Sequence, residues 1–155
     1  MSGAPPRSEA LHGTAVSIGG TGVLLLGAPG SGKSDLALRL IDRGALLIAD
    51  DLVLLGVHGE AIRLSGTGNM TGRMEIRGIG LCGMPHVDNA PFRLAALCDL
   101  PPERLPTPEH RRWLGIAVPA VRLAPFEASA PVKLEWALRA VVDGTFTTSK
   151  ERAFR

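Results

Sequence analysis

Eight consecutive residues match a motif that binds phosphate. The pattern G-x-x-x-x-G-K-[ST] is satisfied at every required position by Gly27, Ala28, Pro29, Gly30, Ser31, Gly32, Lys33 and Ser34. Its glycines allow several backbone N–H groups to converge on one anion, because no side chain blocks the approach. Lys33 would add a full positive charge at the outer phosphates, and Ser34 would offer a hydroxyl to magnesium. The segment therefore predicts a nucleotide site.

Two adjacent carboxylates supply a second kind of chemistry. Asp50 and Asp51 end the short apolar run at residues 45–49. In a chain with a phosphate loop, acids in this position are typical of a magnesium ligand or of a proton acceptor. Neighbouring carboxylates repel each other and can hold different protonation states, which suits acid–base catalysis. A solvated turn is the alternative, but the apolar run resumes at once over residues 52–55.

The elements around the loop are those that the motif requires. Residues 23–26 are apolar and predict a buried strand that enters the loop. Leucine, isoleucine and alanine then recur at helical spacing over residues 35–43, and Gly44 can end that helix in a left-handed conformation. Residues 11–18 alternate as a strand, and the glycine-rich turn at 19–22 predicts a hairpin with the strand of the loop. His12 lies on that hairpin.

Further along, strands dominate. Residues 53–57 and 61–64 predict a hairpin, and residues 92–100 and 113–123 predict two more strands. Glu75 and Arg77 are two positions apart, so a strand would turn both to one face, where a surface ion pair is the plain interpretation. A helix is predicted from Ser129 or Ala130 to Gly144. Its Trp136 is expected in the core, with a partner-facing position as the alternative.

The predicted fold is α/β and rich in strands: a mixed sheet around the strand, loop and helix of the phosphate site, with a C-terminal helix. A doubly wound fold would alternate strand and helix throughout, and this chain does so only once. We expect one domain over residues 9–144. The polar ends, residues 1–8 and 145–155, are predicted to be mobile tails.

Composition excludes several functions. The chain has 155 residues, of which 45% are hydrophobic and 21% charged, and its net charge is only +2. Its basic residues are scattered, so no nucleic-acid footprint is visible. No run is long enough to span a membrane, and the N-terminus lacks the apolar core of a signal peptide, so we expect a cytoplasmic protein. Cys82 and Cys98 are expected as buried free thiols.

Three features together resemble one family. They are Leu11-His12-Gly13 before the loop, the strand that ends in Ala49-Asp50-Asp51, and the stretch Glu75-Ile76-Arg77-Gly78-Ile79-Gly80. This combination is similar to the C-terminal catalytic domain of bacterial HPr kinase/phosphorylase, whose P-loop fold is shared with PEP carboxykinase. The resemblance covers roughly residues 11–119, and it indicates a short form without the N-terminal domain of the family.

The resemblance implies an enzyme that uses ATP and Mg²⁺ to phosphorylate a serine of HPr, the phosphocarrier protein of the phosphotransferase system. His12 would then lie beside the transferring phosphate, while Lys33 would hold the β- and γ-phosphates. Ser34 and Glu75 would bind magnesium. Of the acid pair, Asp51 is preferred over Asp50 as the base. Arg104, in Glu-Arg-Leu, stands where the family has a catalytic arginine, and the family's assemblies imply a homo-oligomer, a hexamer.

The resemblance also implies that the same site can remove the phosphate by attack of inorganic phosphate, and one departure from the family affects this reverse reaction. Where the family has the arginine-containing loop Pro-Val-Arg-Pro-Gly-Arg-Asn, residues 124–131 read Ala-Pro-Phe-Glu-Ala-Ser-Ala-Pro. Loss of two cations should weaken a site for inorganic phosphate, so we expect kinase activity to remain and phosphorolytic dephosphorylation to be reduced or lost. A small-molecule kinase and a nucleotide-sensing module without turnover are the alternative functions.

Overall fold

The computed structural model describes residues 7–146. The described chain contains eleven strands and two helices. They are β1 (Ser8–His12), β2 (Thr14–Ile18), β3 (Thr21–Leu26), α1 (Lys33–Asp42), β4 (Leu46–Ala49), β5 (Leu52–His58), β6 (Ala61–Ser65), β7 (Arg73–Ile76), β8 (Gly80–Gly83), β9 (Asn89–Leu97), β10 (Glu109–Trp113), β11 (Ile116–Arg122) and α2 (Ala130–Val142). Most of the two predicted tails lies outside the described residues. Neither described helix has the length and apolarity needed to span a membrane.

A mixed sheet of nine strands forms the body of the molecule, as predicted. Its main path runs β1-β5-β6-β9-β3-β2-β4, and β11 joins β9 while carrying β10 on its other side. Strands β3, β9 and β11 are parallel neighbours. Their carboxyl ends therefore lie at one edge of the sheet, the edge from which the phosphate loop leaves β3.

The helix α1 returns the chain to the same sheet two strands away from β3. Strand β2 pairs antiparallel with both β3 and β4, so β4 runs in the direction of β3 with β2 between them. Since β4 ends at Ala49, the acid pair that follows emerges at the edge occupied by the phosphate loop. This crossover is what brings two segments of the chain to one site.

Apolar layers cover both faces of the central strands. Val23 and Leu25 of β3 pack toward the two helices, against residues such as Leu36 and Leu134. The residue between them, Leu24, belongs to a second buried cluster on the opposite face. Alternation of side chains along a strand explains this division, and burial on both faces explains why β3 reads as a continuous apolar run.

The predicted strand over residues 11–18 is two strands. Gly13 separates them, and β1 pairs with β5 whereas β2 pairs with β3. A Cβ at Gly13 would lie 3.0 Å from the carbonyl oxygen of Leu25, so the close approach of two backbones requires glycine here. His12 is consequently opposite Leu52 of β5 and is not on the hairpin of the phosphate strand.

Three other local predictions were wrong. Strand β7 ends at Ile76, so Arg77 lies in the turn that follows and does not share a strand face with Glu75. Trp136 is 61% exposed on α2, with the guanidinium of Arg139 lying 4.3 Å from the centre of its ring. Cys98 is a buried free thiol as expected, but Cys82 is only half-buried.

Candidate functional site

The phosphate loop joins β3 to the N-terminus of α1. Gly30 and Gly32 have φ angles of 81° and 101°, which side chains rarely adopt, and Gly32 is the residue that immediately precedes the helix. The first N–H groups of a helix have no partner within the helix, and they carry its partial positive charge. The loop and the start of α1 therefore have the backbone geometry that the predicted anion site requires.

Polar groups inside the loop are held close together. Lys33 Nζ donates hydrogen bonds to the carbonyl oxygens of Gly27 and Ala28, at 2.6 and 3.1 Å. The hydroxyl of Ser31 is buried and has no hydrogen-bond partner among the described residues. A buried hydroxyl without a hydrogen-bond partner lowers the stability of a folded protein. Here the hydroxyl lies in a loop whose other groups suit a polyanion.

Asp50 connects the loop to the end of β4. Its Oδ1 accepts a hydrogen bond of 2.9 Å from the hydroxyl of Ser34 and one of 3.0 Å from the hydroxyl of Thr14. Thr14 lies at the start of β2, the strand between β3 and β4, and is 1% exposed. The carboxylate is thus fixed against the serine to which the motif assigns the metal.

Asp51 is presented differently from its neighbour. Its φ angle is 70°, in the left-handed region that residues other than glycine seldom occupy. The two residues that flank Asp51 are joined by a hydrogen bond of 2.9 Å, which the N–H of Leu52 donates to the carbonyl oxygen of Asp50. The carbonyl of Asp51 accepts a hydrogen bond of 3.2 Å from Gly13 N–H. In the described part of the chain its exposed carboxylate has no hydrogen-bond partner. Backbone strain of this kind is concentrated at functional sites.

A cleft of about 550 Å³ opens beside the acid pair. Asp50 and Asp51 form one wall, the glycine-rich segment from Gly66 to Gly72 forms another, and Glu75 and Asp88 also line it. The predicted metal residue Glu75 and the predicted base therefore share one cavity, although more than twenty positions separate them in the sequence.

Only Asp50, Asp51 and Glu75 of the predicted site residues line that cleft, and the phosphate-loop residues 27–34, His12 and Arg104 do not. His12 is exposed at the end of β1, one residue before the Gly13 N–H that bonds to Asp51. Arg104 is exposed in the connection between β9 and β10, where it lines a second cavity of about 770 Å³ together with Arg122 and Lys133. Within residues 7–146, Arg104 is therefore not part of the wall that contains the acid pair.

Two polar residues of the site were missed in the sequence. Thr14 carries no motif of its own, and only the strand order brings it to Asp50. Asp99 follows the apolar strand β9, and its Oδ2 accepts a hydrogen bond of 3.1 Å from the N–H of Ala28 in the loop. The signal that identified Asp50, an acid after a buried strand, is present at Asp99 as well.

The donor set suits magnesium bound together with a nucleotide. No group of three or more His, Cys, Asp or Glu side chains within residues 7–146 is arranged to hold a metal ion alone. Mg²⁺ usually takes one or two carboxylates, several waters and phosphate oxygens, so a complete protein cage is not required. The Ser34 hydroxyl beside Asp50, with Glu75 lining the adjoining cleft, fits that mode of binding.

The loop also borders an unreactive thiol. Burial raises the pKa of Cys98 to about 11, and the nearby positive charge of Lys33 offsets only part of that effect. The N–H of Cys98 donates a hydrogen bond of 2.7 Å to the carbonyl of Leu26, at the point where β3 enters the loop. The thiol is therefore neutral near pH 7 and acts as a packing group.

Comparisons with known proteins identify the family of this chain. The model of the family described as "HPr Serine kinase C-terminal domain" matches residues 6–87. The HPr kinase/phosphorylase of Chlorobium phaeovibrioides is 36% identical over 135 residues, which cover 74% of this chain and 39% of that protein. That of Chlorobium chlorochromatii is 47% identical over 75 residues, which cover 47% of the chain and 22% of the relative. The chain thus spans well under half the length of these relatives.

A solved structure extends the likeness to most of the fold. The Hpr(Ser) kinase/phosphatase from Coxiella burnetii superposes with a TM-score of 0.74 at 27% sequence identity, and the match covers 84% of this chain and 88% of that one. The family model ends at residue 87, whereas the structural match includes much of the chain beyond it.

Proposed function

The chain belongs to the HPr serine kinase C-terminal domain family, and we propose that it is an ATP- and magnesium-dependent kinase that phosphorylates a serine of HPr. The observation that carries the proposal is the pair of hydroxyl contacts on Asp50, from Ser34 and Thr14, beside an Asp51 whose carboxylate is exposed. One acid is tied to the serine of the phosphate loop, and the other is available to a substrate.

The proposed division of labour follows from these contacts. Backbone N–H groups of the loop and the N-terminus of α1 bind the phosphates, and Lys33 exchanges its bonds to Gly27 and Ala28 for bonds to phosphate oxygens. Ser34, Asp50 and Glu75 would hold Mg²⁺, which would supply positive charge to the phosphate oxygens. Positioning and charge stabilisation are the main requirements of phosphoryl transfer.

Asp51 is assigned as the general base. A carboxylate that accepts two hydroxyl hydrogen bonds has fewer lone pairs for a substrate, and this describes Asp50. Asp51 is exposed and lines the cleft where a protein serine can enter. In the proposed step the serine oxygen attacks the γ-phosphorus, its proton passes to Asp51, and ADP leaves. His12 lies near the Asp51 backbone and would assist there.

The remaining assignments rest on the family resemblance. Arg104 would contribute to transfer only if the segment between β9 and β10 moves toward the loop or if a second copy of the chain supplies this residue. A hexameric assembly and a cytoplasmic location complete the proposal, and light scattering would measure the size of the assembly.

The absence of arginine from residues 124–131 supports a kinase with reduced phosphorolysis. Transfer of the phosphoryl group from phospho-HPr to added inorganic phosphate, which yields pyrophosphate and free HPr, is expected to be slow compared with phosphorylation.

An acceptor assay tests the proposal. The chain is incubated with ATP labelled in its γ-phosphate and Mg²⁺, together with HPr or with a panel of small metabolites. We expect the label on a serine of HPr, and HPr whose serines are replaced by alanine is the control. Label on a metabolite would instead identify a small-molecule kinase. ATP binding without label on any acceptor would identify a nucleotide sensor, and either result would overturn the proposal.

A further inference from the structure

An exposed aromatic ring lies against the phosphate loop. Phe126 is 70% exposed, yet a Cβ at Gly32 would lie only 3.0 Å from its Cζ and 3.1 Å from its Cε1. The ring therefore packs on the backbone of the residue that precedes α1, and glycine at that position leaves room for it. Most of its surface remains open to solvent. Because the ring packs on the loop and is otherwise open, it is placed to contact the organic part of a ligand whose phosphates bind there.

The backbone on either side of Phe126 is anchored. Arg39 of α1 donates hydrogen bonds to the carbonyl oxygens of Pro125 and Glu127, the latter at 3.0 Å. Glu127 is tied in turn to Lys133 of α2 by an ion pair of 2.8 Å. The segment is thus attached to both helices, and the ring is held in place without being buried. An aromatic group fixed in this way can bind a ligand at little cost in conformational entropy.

The position of Phe126 relative to the sheet indicates which part of a bound nucleotide its ring contacts. Asp50 follows β4, on one side of β3, whereas Phe126 belongs to the segment that follows β11, on the other side. Because β3, β9 and β11 are parallel, this segment emerges at the same edge as the phosphate loop. Ligands of open α/β sheets lie along the carboxyl edge of the strands. A nucleotide whose reacting phosphate faces the acids extends its other end away from them, toward Phe126.

We propose that Phe126 stacks on the base of the bound nucleotide and so contributes to nucleotide affinity. The inference rests on the proposed function only in that the site binds a nucleoside triphosphate. Stacking uses the face of the base, which every base has, so the contact would favour nucleotides over bare polyphosphate without selecting adenine over guanine. Selection between purines would then depend on other groups at this edge.

Calorimetric titration in the presence of Mg²⁺ tests the contact. The ligands are ATP, GTP and inorganic tripolyphosphate, which has the phosphates but no base. Phe126→Ala is expected to weaken ATP and GTP binding by roughly five- to hundredfold and to leave the tripolyphosphate affinity unchanged. Phe126→Trp should restore the nucleotide affinities. Trp136→Ala is the matched control, because it removes another exposed aromatic ring, on α2, and should change none of the three.

Two results would overturn the inference. Equal losses for ATP and tripolyphosphate would mean that the ring supports the shape of the loop and does not meet a base. Unchanged ATP affinity would also contradict stacking, and a raised KM for HPr in that variant would identify a protein contact instead. Since the titration contains no HPr, a failure to phosphorylate HPr would leave this inference standing. Loss of stacking would likewise leave the kinase assignment intact.

Discussion

The hydroxyl of Ser34 lies 2.9 Å from Oδ1 of Asp50. Ser34 is in the first turn of α1 and Asp50 follows β4. This hydrogen bond therefore joins the beginning of the helix to the end of the strand that the helix leads into. The intervening strand β2 contributes Thr14 to the same oxygen. One carboxylate oxygen is thus fixed by two elements. A fixed carboxylate is what a metal site next to a phosphate loop requires.

Thr14 is predicted to position Asp50. Thr14→Val keeps the volume of the side chain but removes the hydroxyl that donates to the carboxylate. We expect the Mg²⁺ concentration for half-maximal phosphoryl transfer to rise several-fold and stability to fall by about 1 kcal/mol, the usual worth of one hydrogen bond. Thr14→Ser should restore the magnesium dependence. A Thr14→Val protein with an unchanged magnesium titration would show that the contact has no role in the site.

Lys33 is predicted to carry much of the affinity for nucleotide. Lys33→Ala removes the only side-chain charge of the phosphate loop, and we expect ATP binding to weaken by about tenfold or more, because charge-assisted hydrogen bonds to phosphate are among the stronger ones. Titration calorimetry measures the change. Arg43→Ala is the control, since it removes a surface cation paired with Glu135 near the far end of α1. Equal ATP affinity in the Lys33 variant and the native chain would contradict the phosphate-loop assignment.

Cys98 is predicted to resist alkylation. Its pKa is raised to about 11, so the reactive thiolate is scarce in the native protein until the pH approaches that value, and burial blocks the reagent as well. Iodoacetamide at pH 8 should therefore modify the half-buried Cys82 first, while both thiols react in urea. Peptide mass spectrometry distinguishes the two sites. Alkylation of native Cys98 as fast as in the unfolded chain would disprove its burial beside the loop.

The sequence allowed prediction of the features that depend on neighbouring residues. The loop, the helix that follows it, the stop at Gly44 and the hairpin of β5 with β6 all follow from local spacing and turn residues, and the structure confirms them. The mixed sheet with a C-terminal helix is confirmed as well. These elements have strong local signals because each is fixed by a few adjacent positions.

The remainder depends on contacts between distant positions. The pairing of β3 with β9 joins segments about seventy residues apart, and no periodicity within either strand specifies its partner. For the same reason the Thr14–Asp50 contact and the bond from Ala28 to Asp99 were not foreseen. Trp136 was misassigned because the apolar face of α2 is already filled by other residues, including Leu134 and Leu138. The exposure of Trp136 depends on which face of α2 packs against the sheet, and the spacing within the helix does not specify that.

The most direct test compares phosphate transfer by the native chain and by Asp51→Asn. With labelled ATP, Mg²⁺ and HPr, the native chain should label a serine of HPr. Asp51→Asn should reduce the rate by about a hundredfold or more, the usual contribution of a general base, while its ATP affinity stays within about twofold. Asp42→Asn, an exposed acid at the end of α1, serves as the control. Transfer by Asp51→Asn at the native rate, or no transfer to HPr by the native chain, would contradict the account.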